Sequence, residues 1–247
     1  MDNIVAINKP KGPTSHDIVN AVRRITGERR VGHAGTLDPM ASGVLVIGIG
    51  RDATKQLAGI VAKEKEYIAT ITLGATSDTD DAEGTVTPTP SNSPSRWVGE
   101  KKIDSPNPSR WGGEGGWLPP TLQEVLPILQ QFIGHIQQVP PKYSAIKIKG
   151  KPAHRRMRKG EDIQMEPREV EIKEIELLNY QLSTLNSQLI LRVVCGPGTY
   201  IRSLARDIGE QLGVGGYLSA LERTRVGQYI ISDTLTVEEL KKTQNRT

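Results

Sequence analysis

The stretch GHAGTLDPMASGVLVIGIG, from Gly32 to Gly50, joins a segment rich in glycine and small residues to a continuous apolar run. The first half has too few large side chains for regular structure, whereas VLVIGIG has the composition of a buried strand. The pattern predicts a long loop that leads into a buried strand. Asp38 lies in that loop, where the glycines allow a tight turn and Leu37 and Pro39 restrict the conformation of the aspartate. We expect a positioned, exposed carboxylate, although an Asp-Pro in a loop, taken alone, is more often an ordinary turn.

The residues before this stretch predict a strand followed by a helix. The segment IVAIN, which begins at Ile4, alternates like a strand, and KPKGPTSHD supplies turn residues and a helix cap at Thr14 or Ser15. The apolar residues of the following helix share one face, namely Ile18, Val19, Val22 and Ile25.

The residues after Gly50 add strands and helices in no regular β-α-β order. EYIATITLG, EVEIKEIELLNY and SQLILRVVC are predicted strands, and IRSLARDIGEQLG is a predicted helix that ends near Gly213. TLQE has the form of a capping box, but Pro127 leaves open whether that helix bends or starts later. The sequence therefore predicts an α+β domain with a mixed, largely antiparallel central sheet flanked by helices and loops.

Residues 87–120 interrupt this organisation with Pro, Ser and Gly and contain all three tryptophans of the chain. We interpret them as a mobile surface insertion, the alternative being that the tryptophans fold onto the body of the protein. The predicted domain spans residues 1–233, and residues 234–247 form a short C-terminal tail that is not a separate domain.

The composition argues against a membrane protein and against a metal site. The chain has 247 residues and 36% hydrophobic residues but no run of eighteen apolar residues. Its first residues have neither the basic start nor the long apolar stretch of a secretory signal, so we expect a cytoplasmic protein without a membrane segment. Cys195, the single cysteine, lies in an apolar run and is interpreted as a core residue, and the four histidines lack metal-ligand spacing. We expect neither a metal nor a cofactor.

Charge is concentrated in one segment. The net charge is only +4, but residues 142–159 carry eight Lys or Arg and no acid. A surface that faces phosphates needs this pattern, and a solvated basic loop explains it equally well. The candidate contacts to an RNA backbone are Lys142, Lys147, Lys149, Arg155, Arg156 and Arg158.

The segment GHAGTLDPMASGVLVIGIGRDATK resembles the signature of the tRNA pseudouridine synthase B family, the TruB type, whose members modify uridine 55 in the tRNA T-loop. Further matches occur in the family's order: NKPKGPTSHD, KEY, TSDTDDAEG, PPKYSAIKIKG and GTYIRSLARDIGEQLG. Together they span most of residues 4–230. The resemblance implies a pseudouridine synthase catalytic domain, a monomer that binds the T-loop and stem of tRNA and isomerises one uridine without a cofactor.

The resemblance also implies roles for individual residues. Asp38 would be the nucleophile, Arg202 its ion-pair partner, and Tyr67 a contact to the target base. His33 would help to open the T-loop. The other implied substrate-binding residues are Tyr200, Leu221 and Lys9.

These roles agree with the chemistry of the reaction. The enzyme must break a C–N glycosidic bond, turn the detached uracil and rejoin it through carbon, so a carboxylate has to attack either the sugar or the base. The base must first leave its stack, at a cost of about a few kcal/mol, and an imidazole or aromatic ring can occupy the vacated place.

The sequence departs from the family at Asn8, where an aspartate is frequent, and at Ala153 and His154, where many relatives carry a tyrosine. Longer members of the family end with a small RNA-binding domain, and we expect no full domain of this kind here, since about fifteen residues follow Ser232. Two other functions stay open. A non-catalytic tRNA-binding or tRNA-folding protein on the same fold is the first alternative, and a hydrolytic glycosidase is the second, although glycosidases usually need two cooperating carboxylates.

Overall fold

A computed structural model describes residues 3–89, 97–98, 101–102, 119–144, 146–148, 150–157, 160–161, 163–182 and 187–244. Most of the predicted insertion, including Trp111 and Trp117, lies outside the described residues, so its predicted mobility remains a prediction.

The described chain contains six helices and fifteen strands. The helices are α1 (Ser15–Thr26), α2 (Arg51–Val61), α3 (Leu122–Gln131), α4 (Ala153–Met157), α5 (Ile201–Gln211) and α6 (Val237–Gln244), with a 3-10 turn at Ile231–Asp233. The strands are β1 (Ile4–Lys9), β2 (Val31–Ala34), β3 (Ser42–Ile49), β4 (Lys65–Leu73), β5 (Ala75–Ser77), β6 (Val86–Pro88), β7 (Trp97–Val98), β8 (Lys101–Lys102), β9 (Gly134–Gln138), β10 (Lys147–Ile148), β11 (Lys151–Pro152), β12 (Arg168–Leu182), β13 (Ser187–Cys195), β14 (Gly216–Val226) and β15 (Tyr229–Ile230).

Nine strands form one mixed sheet in the order β1-β3-β14-β4-β13-β12-β9, with β2 also paired to β3 and β15 to β14. Strands β1 and β2 run antiparallel to β3, whereas β14 runs parallel to it, with Arg223 opposite Gly43. Three short antiparallel pairs lie outside this sheet: β5 with β6, β7 with β8, and β10 with β11. The predicted α+β class with a mixed sheet is confirmed.

Residue contacts divide the chain into two compact units, a division that the sequence did not predict. The first consists of Met1–Ile68, Val193–Pro197 and Ala220–Thr247, and the second of Ala69–Arg192 and Gly198–Ser219. The predicted tail at 234–247 contributes α6 to the first unit, where Leu240 is buried.

In the first unit, local signals fix the start of α1. Thr14 caps the helix through a capping box with Asp17, and the predicted apolar face buries Ile18, Val19 and Val22. Gly27 ends the helix in the left-handed conformation.

In the second unit, α3 begins at Leu122 behind a capping box of Thr121 and Glu124 and continues past Pro127. The start of this helix is therefore not shifted by the proline. Helix α5 ends at Gln211, two residues before Gly213. It approaches β14 closely at Gly209, where any larger residue would clash, because a Cβ there would lie 2.2 Å from the Gly216 nitrogen.

Strand β2 and helix α2 are among the elements of the first unit that were missed. Strand β2 lies inside the predicted long loop, because pairing with β3 satisfies the backbone of residues that have little strand propensity of their own. Helix α2 was not predicted because Ala53 and Leu57 are its only fully buried residues, too few for a clear periodic pattern. Within the described residues, no helix is long and apolar enough to cross a membrane.

Candidate active site

Asp38 lies on the loop between β2 and β3, residues 35–41, and its side chain is half-buried. The adjoining Leu37 and Ala41 are buried, and the Ala41 N–H donates to the Asp38 carbonyl at 3.1 Å. Gly35 begins the loop with φ of +84°, a conformation that glycine adopts without strain. The predicted loop thus presents a carboxylate that is partly accessible on a backbone held by buried neighbours.

Lys9 at the end of β1 is completely buried and binds the backbone of this loop after Asp38. Its ammonium donates to the carbonyls of Ala41 at 2.6 Å, Pro10 at 2.9 Å and Pro39 at 3.4 Å. The Gly12 N–H also donates to the Pro39 carbonyl at 2.8 Å. The described contacts of Lys9 are therefore to backbone, and its predicted contact with substrate stays a prediction.

Tyr67 on β4 is buried, with 7% of the residue exposed, and the charge of the Arg223 guanidinium acts on its phenol. Burial raises the pKa of Tyr67, against the nearby charge of Arg223, and the phenol is neutral at pH 7. A neutral hydroxyl here can donate a hydrogen bond to a bound ring.

His33 on β2 is half-buried and pairs in register with Ile47 of β3. Burial lowers its pKa first, and the positive charges of Arg223 and His16 lower it further. The imidazole is therefore neutral at neutral pH, as a ring that stacks in a vacated base position should be. Among the described residues, no group hydrogen bonds with its buried Nδ1. Leu221 on β14, the last predicted pocket residue of this unit, is buried.

The second unit holds Tyr200 and Arg202 at the start of α5. Gln138 fixes the Tyr200 backbone from both sides, since its Oε1 accepts the Tyr200 N–H at 2.8 Å and its Nε2 donates to the Tyr200 carbonyl at 3.1 Å. The Arg202 guanidinium lies 3.3 Å from the Asp81 carboxylate and donates to the carbonyls of Thr79 and Tyr143. The predicted pairing of Arg202 with Asp38 stays a prediction.

The basic segment at 142–159 is described only in part. Lys142 is exposed, and Arg156 pairs with Glu161 at 2.6 Å between Nε and Oε2. Lys149 and Arg158 lie outside the described residues, as do the side chains of Lys147 and Arg155.

Three buried polar residues around these positions were missed: Ser15, Asp81 and Arg223. Ser15 and Asp81 stood in quoted motifs, but a lone serine or charge in such a stretch carries no signal of burial, and the same holds for Arg223. Cys195 is buried, as predicted. The described residues contain no group of three or more His, Cys, Asp or Glu that could hold a metal ion.

Comparison with known families gives matches along nearly the whole chain. The model for the TruB family pseudouridylate synthase N-terminal domain matches residues 23–105 and 114–201. The model for the tRNA pseudouridylate synthase B C-terminal domain matches residues 202–247.

Curated relatives named tRNA pseudouridine synthase B are similar over 97% of the chain. The protein of Corynebacterium diphtheriae is 45% identical over 242 residues, which are 72% of its length. That of Thermobifida fusca is 42% identical over 243 residues, 74% of its length.

Solved structures share the fold. The crystal structure of the archaeal box H/ACA sRNP Nop10-Cbf5 complex contains a chain with a TM-score of 0.65 and 24% identity, with coverage of 99% of this chain and 54% of that one. A Cbf5-Nop10-Gar1 complex gives a TM-score of 0.64 and 26% identity, with coverage of 98% and 54%.

Proposed function

Because the chain belongs to the TruB family of pseudouridylate synthases, we propose that it converts uridine 55 of the tRNA T-loop to pseudouridine, with Asp38 as the nucleophile. The observation that supports this assignment is the loop at 35–41, which presents a half-buried carboxylate on a backbone held by buried side chains. The 42–45% identity of relatives that carry the same activity in their names supports tRNA as the substrate.

The reaction is an isomerisation and needs neither an oxidant nor an energy source. The Asp38 carboxylate attacks the sugar or the base while the C–N glycosidic bond breaks, and the free uracil turns within the pocket. A C–C bond then forms between the sugar and carbon 5 of the base, the hydrogen on that carbon leaves as a proton, N1 of the base takes up a proton, and the carboxylate is released. No atom is gained or lost overall.

The base has to leave the T-loop before this chemistry. His33 is suited to occupy its place, because a neutral imidazole stacks without the desolvation cost of a charge. By resemblance to the family, Tyr67, Tyr200 and Leu221 are each assigned a contact with the extruded base, with the Tyr67 hydroxyl as hydrogen-bond donor. Arg202 aims the ionised carboxylate through a guanidinium contact.

The resemblance to the same family also supports the proposed oligomeric state, location, lack of a cofactor and RNA contacts. The enzyme works as a monomer in the cytoplasm, uses no cofactor, and contacts the T-loop and stem of tRNA through its basic segment.

Asp38→Asn tests the nucleophile. Its amide keeps the size and most polar contacts of the carboxylate but is not a competent nucleophile, so we expect no pseudouridine and an unchanged affinity for tRNA. Asp38→Glu should lose about a hundredfold in rate, because its extra methylene displaces the carboxylate by about an ångström. The measurement is single-turnover tritium release from tRNA labelled at uracil carbon 5, paired with filter binding.

Asp52→Asn is the matched control, since Asp52 lies on the exposed surface of α2 and, in the part of the chain that the structure describes, its carboxylate pairs only with Lys55. Activity of Asp38→Asn within tenfold of wild type, with deamidation excluded by mass spectrometry, would contradict the assignment. Tight tRNA binding without tritium release by the wild-type protein would instead favour a non-catalytic tRNA-binding protein.

A further inference from the structure

The Arg223 side chain joins the two ends of the loop that carries Asp38. Its Nε donates to the Val44 carbonyl at 2.8 Å, and its Nη2 donates to the Gly35 carbonyl at 3.0 Å. Gly35 begins the loop, and Val44 lies in β3 just after it. One planar guanidinium therefore fixes the distance between both ends.

Arg223 is itself held in place by its backbone. It lies opposite Gly43 where β14 runs parallel to β3. The approach is so close that a Cβ on Gly43 would stand 2.2 Å from the Arg223 carbonyl oxygen. The guanidinium thus extends from a fixed point, and its residue is only 1% exposed.

Ser15 holds the residue that immediately precedes Asp38. Its Oγ accepts the Leu37 N–H at 2.8 Å and donates to the Leu37 carbonyl at 2.8 Å. Ser15 is 2% exposed and is the first residue of α1, whose start is fixed by the Thr14 capping box. Both polar backbone groups of Leu37 are consequently satisfied by one hydroxyl.

We propose that Arg223 and Ser15 are positioning residues that aim the Asp38 carboxylate at the reacting nucleoside by fixing the loop at its ends and directly before the aspartate. The proposal rests on the proposed function. Both residues act through the backbone of the loop and of the strand after it. A catalytic group that shifts by about an ångström can lose about a hundredfold in rate, so contacts of this kind affect turnover more than affinity.

Ser15→Ala is the main test, because it removes both hydrogen bonds to Leu37 and introduces no strain in a helix. We expect single-turnover tritium release to fall by about tenfold or more while the tRNA Kd stays within about twofold. Ser15→Thr retains the hydroxyl and should recover most of the rate. Arg223→Lys retains the charge but not the fork that spans two carbonyls, so it should not recover the rate of the wild type.

A second measurement is independent of activity. Hydrogen exchange of the Leu37 amide should become at least tenfold faster in Ser15→Ala, because its acceptor is lost. Thr54→Ala is the matched control: it removes hydroxyl contacts to the Gly50 and Arg51 carbonyls in the same unit, away from the loop at 35–41. It should lower the melting temperature without changing the single-turnover rate.

The outcomes separate the two proposals. If the wild-type protein releases tritium and Ser15→Ala releases it at the same rate, or if Leu37 exchange is unchanged, the positioning proposal is overturned while the proposed function stands. If the wild-type protein releases no tritium, the proposed function is wrong, and these contacts then have no role in catalysis. A fall in rate matched by Thr54→Ala would show that the effect is general destabilisation and would also overturn the proposal.

Discussion

Arg202 and Asp81 form an ion pair that is almost completely buried, with 3.3 Å between Nη1 and Oδ2 and with 7% and 3% of the two side chains exposed. The carboxylate also accepts hydrogen bonds from the Thr79 hydroxyl at 2.6 Å and from the Glu83 N–H at 3.0 Å. Each of these buried charges has lost its contacts with water, and the attraction between the two charges compensates for that loss. If one charge is removed, the other keeps its desolvation cost without this compensation.

The stability of single and double variants tests this coupling. Arg202→Met and Asp81→Asn should each lower the free energy of unfolding by about 3 kcal/mol, because each leaves an uncompensated buried group. The double variant should lose about 1 to 3 kcal/mol less than the sum. Urea unfolding of the four proteins gives the coupling energy.

The pair of Arg192 and Glu174 is the control, because its side chains are 28% and 53% exposed at 2.8 Å separation. Arg192→Met and Glu174→Gln should show a coupling below about 1 kcal/mol. Equal coupling in the two pairs would mean that burial does not strengthen the Arg202 contact.

The parts of this fold that the sequence predicted depend on neighbours along the chain. The Thr14 cap, the apolar face of α1 and the alternation in β4 arise within a few residues, so periodicity and capping rules reach them. Strand β2 depends instead on pairing with β3, and its four residues contain too little pattern to be recognised.

The residues of the candidate site were even harder to predict from their neighbours along the chain. Local residues made Asp38 no more than a turn aspartate, and only the resemblance to a family singled it out. Arg223 could not be found in this way, because the carbonyls that hold it come from Gly35 and Val44, 188 and 179 positions earlier. A charged residue in a strand is normally solvated, so burial of this one is decided by tertiary contacts alone.

The ion pair between Arg156 and Glu161 bears on the basic segment. Glu161 lies two residues beyond the acid-free stretch and pairs with Arg156 at 2.6 Å, which partly neutralises one of its cations. If the segment faces tRNA phosphates, Glu161→Gln should tighten tRNA binding and steepen the logarithmic salt dependence by up to about 0.9, the contribution of one phosphate contact. Arg156→Ala should lower the slope by less than that amount. Filter binding across a salt series measures both.

Glu174→Gln serves as the control here, since it frees Arg192 from one of its two carboxylates outside the basic segment. Its salt slope should equal that of the wild type. If Glu161→Gln also leaves the slope unchanged, the segment is a solvated loop, and tRNA docks elsewhere.

The last prediction concerns Asp207 on α5, which is bound by Arg206 at 2.7 Å. Burial raises the pKa of Asp207 to about 6, with Glu210 and Asp80 adding to the rise and Arg206 opposing it. Burial also raises the pKa of Asp80, the second partner of Arg206. The folded protein therefore holds protons on these carboxyls at pH values where the unfolded chain has released them.

The sign of the pH effect follows from linkage. A carboxyl whose pKa is higher in the folded state contributes stability below its unfolded pKa of 3.8, and this contribution is lost as the pH rises through about 6. A difference of about two pKa units corresponds to at most about 3 kcal/mol. Asp207→Asn cannot ionise and retains the contact of Arg206 with Asp80, so its free energy of unfolding should rise relative to wild type between pH 4.5 and 7.5.

Urea unfolding of both proteins at intervals across this range measures the difference, which cancels the titration of groups that do not interact with Asp207. The exposed Asp52→Asn is the control and should give a difference that is nearly independent of pH, because its side chain is 90% exposed. A flat difference for Asp207→Asn as well would mean that Arg206 compensates the buried carboxylate fully. An increase confined to pH values above about 6 would instead assign most of the effect to a carboxyl that titrates later, with Asp80 as the first to test by the same substitution.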